Sequence, residues 1–196
     1  KSIDFKLNKK NILVTFHPAT LEKSAARSQF QNLLNAIDEL KDTNIIFTKA
    51  NSDTDGRVIN QMIDQYVMNN LNKAISFTSL GQLRYLSALL YIDVMVGNSS
   101  SGLTEAPSFK IGTINIGDRQ KGRIKAQSVI DSGPSSENIL NAFNKLYSIE
   151  FQEKLKSSIN PYDKGCASVK IIENIKKINL ENLLKKSFFD FDCAQK

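Results

Sequence analysis

The sequence is poor in the residues from which metal centres and disulfide frameworks are built. Its 196 residues include a single histidine, two cysteines and no tryptophan. Cys166 and Cys193 lack metal-ligand spacing, so we expect two free thiols in a reducing compartment, with a disulfide between them left open. The sequence shows no obvious carboxylate or histidine cluster for a metal, so we expect no metal site.

Long apolar runs are also missing. No segment approaches the roughly 20 apolar residues that a membrane-spanning helix needs. The first ten residues, KSIDFKLNKK, are basic but lack the apolar centre of a secretion signal. The sequence therefore predicts a cytoplasmic protein that does not enter a membrane.

The excess of positive charge is spread along the chain. The 26 lysine and arginine residues outnumber the 20 acidic residues, which gives a formal net charge of +6. The small basic clusters contain no interleaved aromatic residues and match no nucleic-acid-binding motif. A positive balance also suits small molecules that carry phosphate, and we favour such a ligand over nucleic acid.

What the sequence does contain is a regular alternation of strand-like and helix-like segments. Apolar runs predict strands at 11–16, 45–48, 74–77, 92–96 and 111–116, and a short one at 129–130. Apolar residues with helical spacing, such as Phe30, Leu33 and Ile37, predict helices between them, and later helices near 136–146 and 166–178. The alternation predicts one α/β domain with a doubly wound parallel sheet.

In such a sheet, ligands bind outside the carboxyl ends of the strands. Polar or unusual residues follow five of the predicted strands, namely His17-Pro18, Asn51, Ser79, Ser99-Ser100 and Asp118-Arg119-Gln120. We expect these residues to gather at one edge of the sheet.

The stretch VGNSSSGLTEA (96–106) predicts a helix start directly after a strand. Ser99 or Ser100 at the N-cap would accept a hydrogen bond from a free helix amide, and the remaining amides would bind phosphate at the positive end of the helix dipole. Gly102 would let a ligand or a neighbouring backbone approach. Glu105, one turn on, could accept two hydrogen bonds from a ribose diol. An ordinary capped helix with a solvated glutamate remains open.

His17 and the loop that contains Arg119 also have two interpretations each. His17 could donate to a phosphate oxygen or carry a proton, or it could be bonded to backbone near a turn. The segment DRQKGR (118–123) could bind an anion or form a solvated surface.

Several motifs, taken in order, resemble one family. They are FHPAT (16–20), FTKAN-D (47–53), SLGQLRYLSALLYIDVMVGNSSSGLTEAPSF (79–109), INIGDRQKGR (114–123) and PYDKGCASVKI (161–171). The family is that of the hydrolysing UDP-N-acetylglucosamine 2-epimerases, in particular its sialic-acid-pathway branch. The resemblance spans roughly residues 11 to 179.

The resemblance implies a particular domain organisation. Members of the family have two Rossmann-like domains in a GT-B arrangement, and this chain resembles the second, nucleotide-binding domain. Residues 1–10 would then be a remnant of the interdomain connection, and residues 11–196 the UDP-binding domain with its C-terminal helices. The absent first domain would supply most of the catalytic carboxylates. Because members of the family commonly form homodimers, the resemblance also implies a homodimeric parent enzyme.

The resemblance also implies the ligand and its contacts. UDP would be bound by His17, Asn51, Ser79, Ser99, Ser100, Glu105 and Arg119. Ser99 and Ser100 would bind the diphosphate, Glu105 the ribose and the Ser79 backbone the uracil. His17 and Arg119 would lie near the phosphates and the reacting end, with His17 a candidate for a catalytic role. Asn51 is carried over without a physical reason of its own.

The implied reaction cleaves UDP-N-acetylglucosamine with inversion at C2, by elimination of UDP to a glycal and addition of water to give N-acetylmannosamine. It requires no metal or other cofactor, and the isolated domain would be inactive. Three alternatives stay open: the donor domain of a GT-B glycosyltransferase, a non-catalytic nucleotide-binding module, and an epimerase that acts on UDP-diacetylbacillosamine for legionaminic acid.

Overall fold

Apolar residues alternate between two faces along the central strands, and each face is covered by helices. The computed structural model describes residues 3–18, 25–51, 54–181 and 184. The strands are β1 (Lys10–Thr15), β2 (Thr43–Thr48), β3 (Ala74–Phe77), β4 (Val94–Gly97), β5 (Gly112–Ile116) and β6 (Val129–Ser132). The helices are α1 (Ala25–Asp38), α2 (Thr54–Asn69), α3 (Gly81–Leu89), α4 (Ser101–Thr104), α5 (Ser136–Leu146), α6 (Ile149–Ser157) and α7 (Ala167–Lys177), with a 3₁₀ turn at Ala106–Phe109.

The strands form one parallel sheet in the order β3-β2-β1-β4-β5-β6. Ile12 and Val14 of β1 face a large apolar cluster with α1, α2, α5 and α6, whereas Leu13 faces a smaller cluster with α3. Burial on both faces explains why the strands are nearly continuous apolar runs in the sequence. The predicted doubly wound parallel sheet is confirmed.

Strand β4 approaches β1 closely at its carboxyl end. Gly97 has φ +133°, a conformation that L side chains rarely adopt, and a Cβ atom there would collide with the backbone carbonyl of Thr15. The two central strands therefore require glycine at the point where their loops diverge.

Helix α6 was not predicted from the sequence. Only Phe151 and Leu155 of this helix are buried, and Ile149 is 84% exposed, so the apolar pattern is weak. The signal that does mark it is Ser148, whose Oγ accepts a hydrogen bond from the Phe151 amide at 3.2 Å. Such serine N-caps begin helices without help from apolar spacing.

The described residues form two compact units, one within 1–162 and one within 163–196. In the first, Ile3 and Phe5 pack against the smaller apolar cluster, ahead of the expected domain boundary at residue 10, and that boundary stays a prediction. In the second, α7 presents exposed apolar residues such as Ile171 and Ile175.

Cys166 forms no disulfide with a described residue, and Cys193 lies outside the described part of the chain.

Candidate functional site

The strand order reverses between β1 and β4. Strand β1 pairs with β2 on one side and with β4 on the other, so the loops after β1 and β4 leave towards opposite faces of the sheet. A crevice at such a switch point is the usual ligand site of an open parallel sheet. His17 follows β1 and Asn98 follows β4, so both lie at this switch point.

A cleft of about 560 Å³ opens at this edge. Three of the seven predicted site residues line it together, namely His17, Ser79 and Glu105. Its floor and walls are formed by residues at the carboxyl ends of β1, β2 and β3 and by α3, among them Thr15, Thr48, Lys49, Leu80 and Tyr85. The cleft therefore combines an apolar lining with a few polar groups, as small-molecule sites do.

The one-turn helix α4 brings Glu105 to the cleft. Glu105 closes α4, and its Oε2 is 3.3 Å from the Thr104 hydroxyl, so the carboxylate keeps most of its acceptor capacity. Helix α4 is followed at once by the 3₁₀ turn that contains Pro107. Because proline has no N–H, it ends the α-helix here, and the helix dipole at this site is smaller than the sequence suggested.

The serines before α4 differ from each other. Ser99 Oγ accepts a hydrogen bond from the Ser101 amide at 3.3 Å, while the Ser100 side chain makes no capping bond. Ser99 is therefore the capping side chain of the two that were predicted. Among the described residues, none accepts a hydrogen bond from the backbone amides of Ser99 and Ser100. These amides are donors that an anion could use.

Glycine is required at position 102 for a structural reason that the sequence did not indicate. A Cβ atom at this position would lie 2.5 Å from Cγ2 of Thr113, and the Thr113 hydroxyl donates to the Gly102 carbonyl at 2.8 Å. The close approach at Gly102 is thus made by a β5 side chain, and the expectation of a ligand or a backbone at this glycine was wrong.

Asn98 connects the loops after β1 and β5. Its Oδ1 accepts from the His17 amide at 2.8 Å and its Nδ2 donates to the His17 carbonyl at 2.7 Å. Its own carbonyl accepts from Arg119 Nη1 at 3.0 Å and from Gln120 Nε2 at 2.8 Å. Asn98 and Gln120 are 3% and 2% exposed. The sequence predicted Gln120 at this edge, but it assigned neither residue a contact with the ligand.

Tyr85 is a further residue that sequence reasoning missed. Its hydroxyl lies 2.5 Å from Ser101 Oγ, and so connects α3 to the start of α4. Burial raises the pKa of Tyr85 to about 12, and the nearby Glu105 carboxylate adds to the shift. Tyr85 lies within the apolar pattern of α3, so the sequence alone does not indicate a role for its hydroxyl. That role becomes visible only in the packing of α3 against β4.

The remaining two predicted residues have different surroundings. Ser79 is exposed, and its Oγ accepts from the Gly81 amide at 3.1 Å, so its hydroxyl shapes the loop after β3. Asn51 is exposed after β2 and does not line the cleft. The loop beside it is held by Asn60, which bonds both the amide and the carbonyl of Ala50 at 2.8 and 3.1 Å.

Within residues 3–18, 25–51, 54–181 and 184, no three His, Cys, Asp or Glu side chains lie close enough together to hold a metal ion. In these segments no helix has both the length and the apolarity to cross a bilayer.

A doubly wound sheet with polar loops at its switch point is the architecture of nucleotide-binding α/β domains. The profile of the family described as UDP-N-acetylglucosamine 2-epimerase matches residues 1–176, and the chain belongs to this family. It is 44% identical over 191 residues to the GDP/UDP-N,N'-diacetylbacillosamine 2-epimerase (hydrolyzing) of Campylobacter jejuni, covering 97% of this chain and 49% of that protein. It is 38% identical over 194 residues to the polysialic acid biosynthesis protein P7 of Escherichia coli, covering 96% and 48%.

A solved structure of S. aureus MnaA with UDP has the same fold. The two chains superpose with a TM-score of 0.67 at 21% identity, over 93% of this chain and 48% of the other. The chain thus spans about half the length of the curated relatives and solved structures that it matches.

Proposed function

We propose that this chain is the UDP-binding domain of a hydrolysing UDP-N-acetylglucosamine 2-epimerase. The observation that carries the proposal is the cleft at the carboxyl edge of the sheet, which gathers His17, Ser79 and Glu105 in a member of this family. The donor domain of a GT-B glycosyltransferase would share the fold, but the family match favours the epimerase.

The groups at the carboxyl edge suit the parts of UDP. The Glu105 carboxylate would accept hydrogen bonds from both ribose hydroxyls, since its oxygens retain free acceptor positions. The amides of Ser99 and Ser100, with the serine hydroxyls, would donate to the diphosphate. The loop at Ser79 would face the uracil, and His17 and Arg119 would lie towards the phosphates and the sugar. Asn51 stays a predicted contact without an assigned role.

The parent enzyme would convert UDP-N-acetylglucosamine and water to UDP and N-acetylmannosamine. This domain contributes stabilisation of the negative charge that develops on the departing diphosphate, using oriented amides and the Arg119 guanidinium. The base that removes the C2 proton would come from an N-terminal domain of the same protein. A cytoplasmic homodimer in a pathway to sialic-acid-type sugars completes the proposal.

A second sugar is favoured by one observation. The Campylobacter jejuni relative, 44% identical to this chain, is named as an epimerase of N,N'-diacetylbacillosamine nucleotides. The parent enzyme is therefore also a candidate for UDP-diacetylbacillosamine hydrolysis on a route to legionaminic acid. The two substrates share the nucleotide that this domain would bind and differ in the sugar.

Calorimetry and product analysis test the proposal. The 196-residue chain is expected to bind UDP, more weakly than the parent enzyme, and to release no sugar from either UDP-sugar. The parent enzyme is expected to release an inverted sugar from one of the two. Failure of the chain to bind UDP, or release of N-acetylmannosamine by the chain alone, would contradict this division of roles.

A further inference from the structure

The side chain of Asn98 is bonded to both backbone polar groups of one residue, His17, and we call this arrangement the Asn98 clamp. A short side chain with one acceptor and one N–H donor is needed to meet an N–H and a C=O at once. Aspartate would face the His17 carbonyl with an acceptor, and serine has a single polar atom. The clamp therefore depends on the amide group itself.

The clamp does not serve the start of α4, because Ser99 caps that turn. Nor does Asn98 line the cleft, in contrast to His17. Its carbonyl instead holds Arg119 and Gln120 from the loop after β5. Through this one buried residue, the position of His17 is tied to the position of Arg119.

We propose that Asn98 is a positioning residue, which holds the His17 backbone and the Arg119 side chain at the carboxyl edge so that both meet the diphosphate of a bound nucleotide. The ligand in this inference rests on the proposed function. Asn98 acts through its two partners and has no contact with the ligand. Fixing both groups before binding lowers the ordering that the nucleotide must impose.

NMR of the 196-residue chain tests the inference, because its single histidine gives one set of imidazole signals. Asn98→Asp keeps the side-chain shape but replaces the donor to the His17 carbonyl with an oxygen. Asn98→Ala removes both bonds without adding a charge. Both variants are expected to shift the imidazole signals of the ligand-free chain and to weaken UDP binding by about tenfold, the scale of one lost hydrogen bond.

Asn11 provides the matched control. It makes the same pair of bonds with the backbone of Asn8, at 2.9 and 3.0 Å, on the opposite edge of the sheet. Asn11→Asp and Asn11→Ala are expected to lower the midpoint of unfolding while the imidazole signals and the UDP affinity stay at wild-type values.

Hydrogen exchange of the wild-type chain is an independent measurement that needs no variant to fold. The His17 amide is expected to exchange slowly, and exchange at the rate of an open amide would overturn the clamp. Imidazole signals at their wild-type positions in both Asn98 variants would overturn the positioning role. A shift of these signals without loss of UDP affinity would overturn its part in binding. Absence of UDP binding in the wild type would refute the proposed function, and the ligand-free signals would still decide whether Asn98 positions His17.

Discussion

The two edges of the sheet use similar polar residues in different ways. At the amino edge, Asn11 bonds Asn8 through its side chain and Asp93 through its backbone amide, and Asn44 Nδ2 donates to the Lys6 carbonyl at 2.8 Å. These groups are satisfied within the chain. At the carboxyl edge, Glu105, which lines the cleft, and the backbone amides of Ser99 and Ser100 keep unused hydrogen-bonding capacity.

This difference separates stability from binding in the same sheet. A polar group whose partners are internal contributes to folding, and its loss leaves another group unsatisfied. A polar group that faces a cleft contributes little to folding and is available to a ligand. Substitutions at the amino edge should therefore change unfolding, and substitutions at the open positions of the carboxyl edge should change UDP binding.

The largest expected effect is on the free energy of unfolding, at the point of the carboxyl edge where β4 approaches β1 most closely. Gly97→Ala would force a Cβ atom against the Thr15 carbonyl at φ +133°, and we expect it to reduce the free energy of unfolding by about 3 kcal/mol or more. Urea unfolding followed by circular dichroism measures this. Gly117→Ala is the matched control, because Gly117 has φ +71° and open space around it, and we expect a loss of about 1 kcal/mol. Equal losses in the two variants would show that β4 does not approach β1 as described.

The second prediction replaces one carboxylate at each edge of the sheet with the corresponding amide. Glu105→Gln should weaken UDP binding by about 1–3 kcal/mol, the range for hydrogen bonds to charged groups, with little change in stability. It should weaken deoxy-UDP binding less, because one ribose partner is already absent. Asp93→Asn should lower the free energy of unfolding and leave UDP binding unchanged, since Asp93 Oδ2 accepts a hydrogen bond from the Asn11 amide at 2.6 Å.

Calorimetry with both nucleotides and urea unfolding of both variants make the comparison. Equal losses of UDP and deoxy-UDP affinity in Glu105→Gln would show that Glu105 does not bind the ribose. Loss of UDP affinity in Asp93→Asn would contradict the separation of the two edges.

The third prediction compares two serines at helix starts. Ser148 caps α6, so Ser148→Ala should cost about 1 kcal/mol of stability and leave ligand binding unchanged. Ser100 makes no capping bond, so Ser100→Ala should change stability by less than about 0.5 kcal/mol. It should instead lower the ratio of UDP affinity to uridine affinity, because uridine lacks the phosphates.

Arg119→Ala should lower the same ratio, and added salt should weaken UDP binding in the wild type. An unchanged ratio in both variants would place the phosphates elsewhere.

The sequence was sufficient for the features that repeat or lie close together in the chain. Strands buried on both faces are apolar runs, so β1, predicted at 11–16, was found at Lys10–Thr15. His17 and Ser79 were predicted at this edge because each follows the end of a strand. Glu105 was predicted there because it lies one turn beyond the helix start that follows a strand. The role of Asn98 and the bond that Gln120 donates to it were missed, because the partners are 81 and 22 residues apart in the chain and local spacing does not report such contacts.

The last and smallest effect concerns the hydroxyl of Tyr85, a half-buried residue that lines the cleft. Burial raises the pKa of Tyr85 to about 12, from about 10 in an unfolded chain. A raised pKa means that the neutral phenol favours the native state. Its contribution is complete below pH 10 and is lost as the pH rises towards 12. Wild type should therefore lose about 1 kcal/mol more stability than Tyr85→Phe between pH 8 and pH 11, because phenylalanine does not ionise.

Urea unfolding of wild type and Tyr85→Phe at both pH values measures this difference. Other groups that titrate in this interval are shared by the two proteins and cancel in the comparison. A parallel loss of stability in the two would mean that the Tyr85 hydroxyl is solvated and that the floor of the cleft is open to water. A loss confined to wild type, with UDP affinity at pH 8 equal in both proteins, would assign Tyr85 to folding and leave Glu105 and the serines as the groups that meet the ligand.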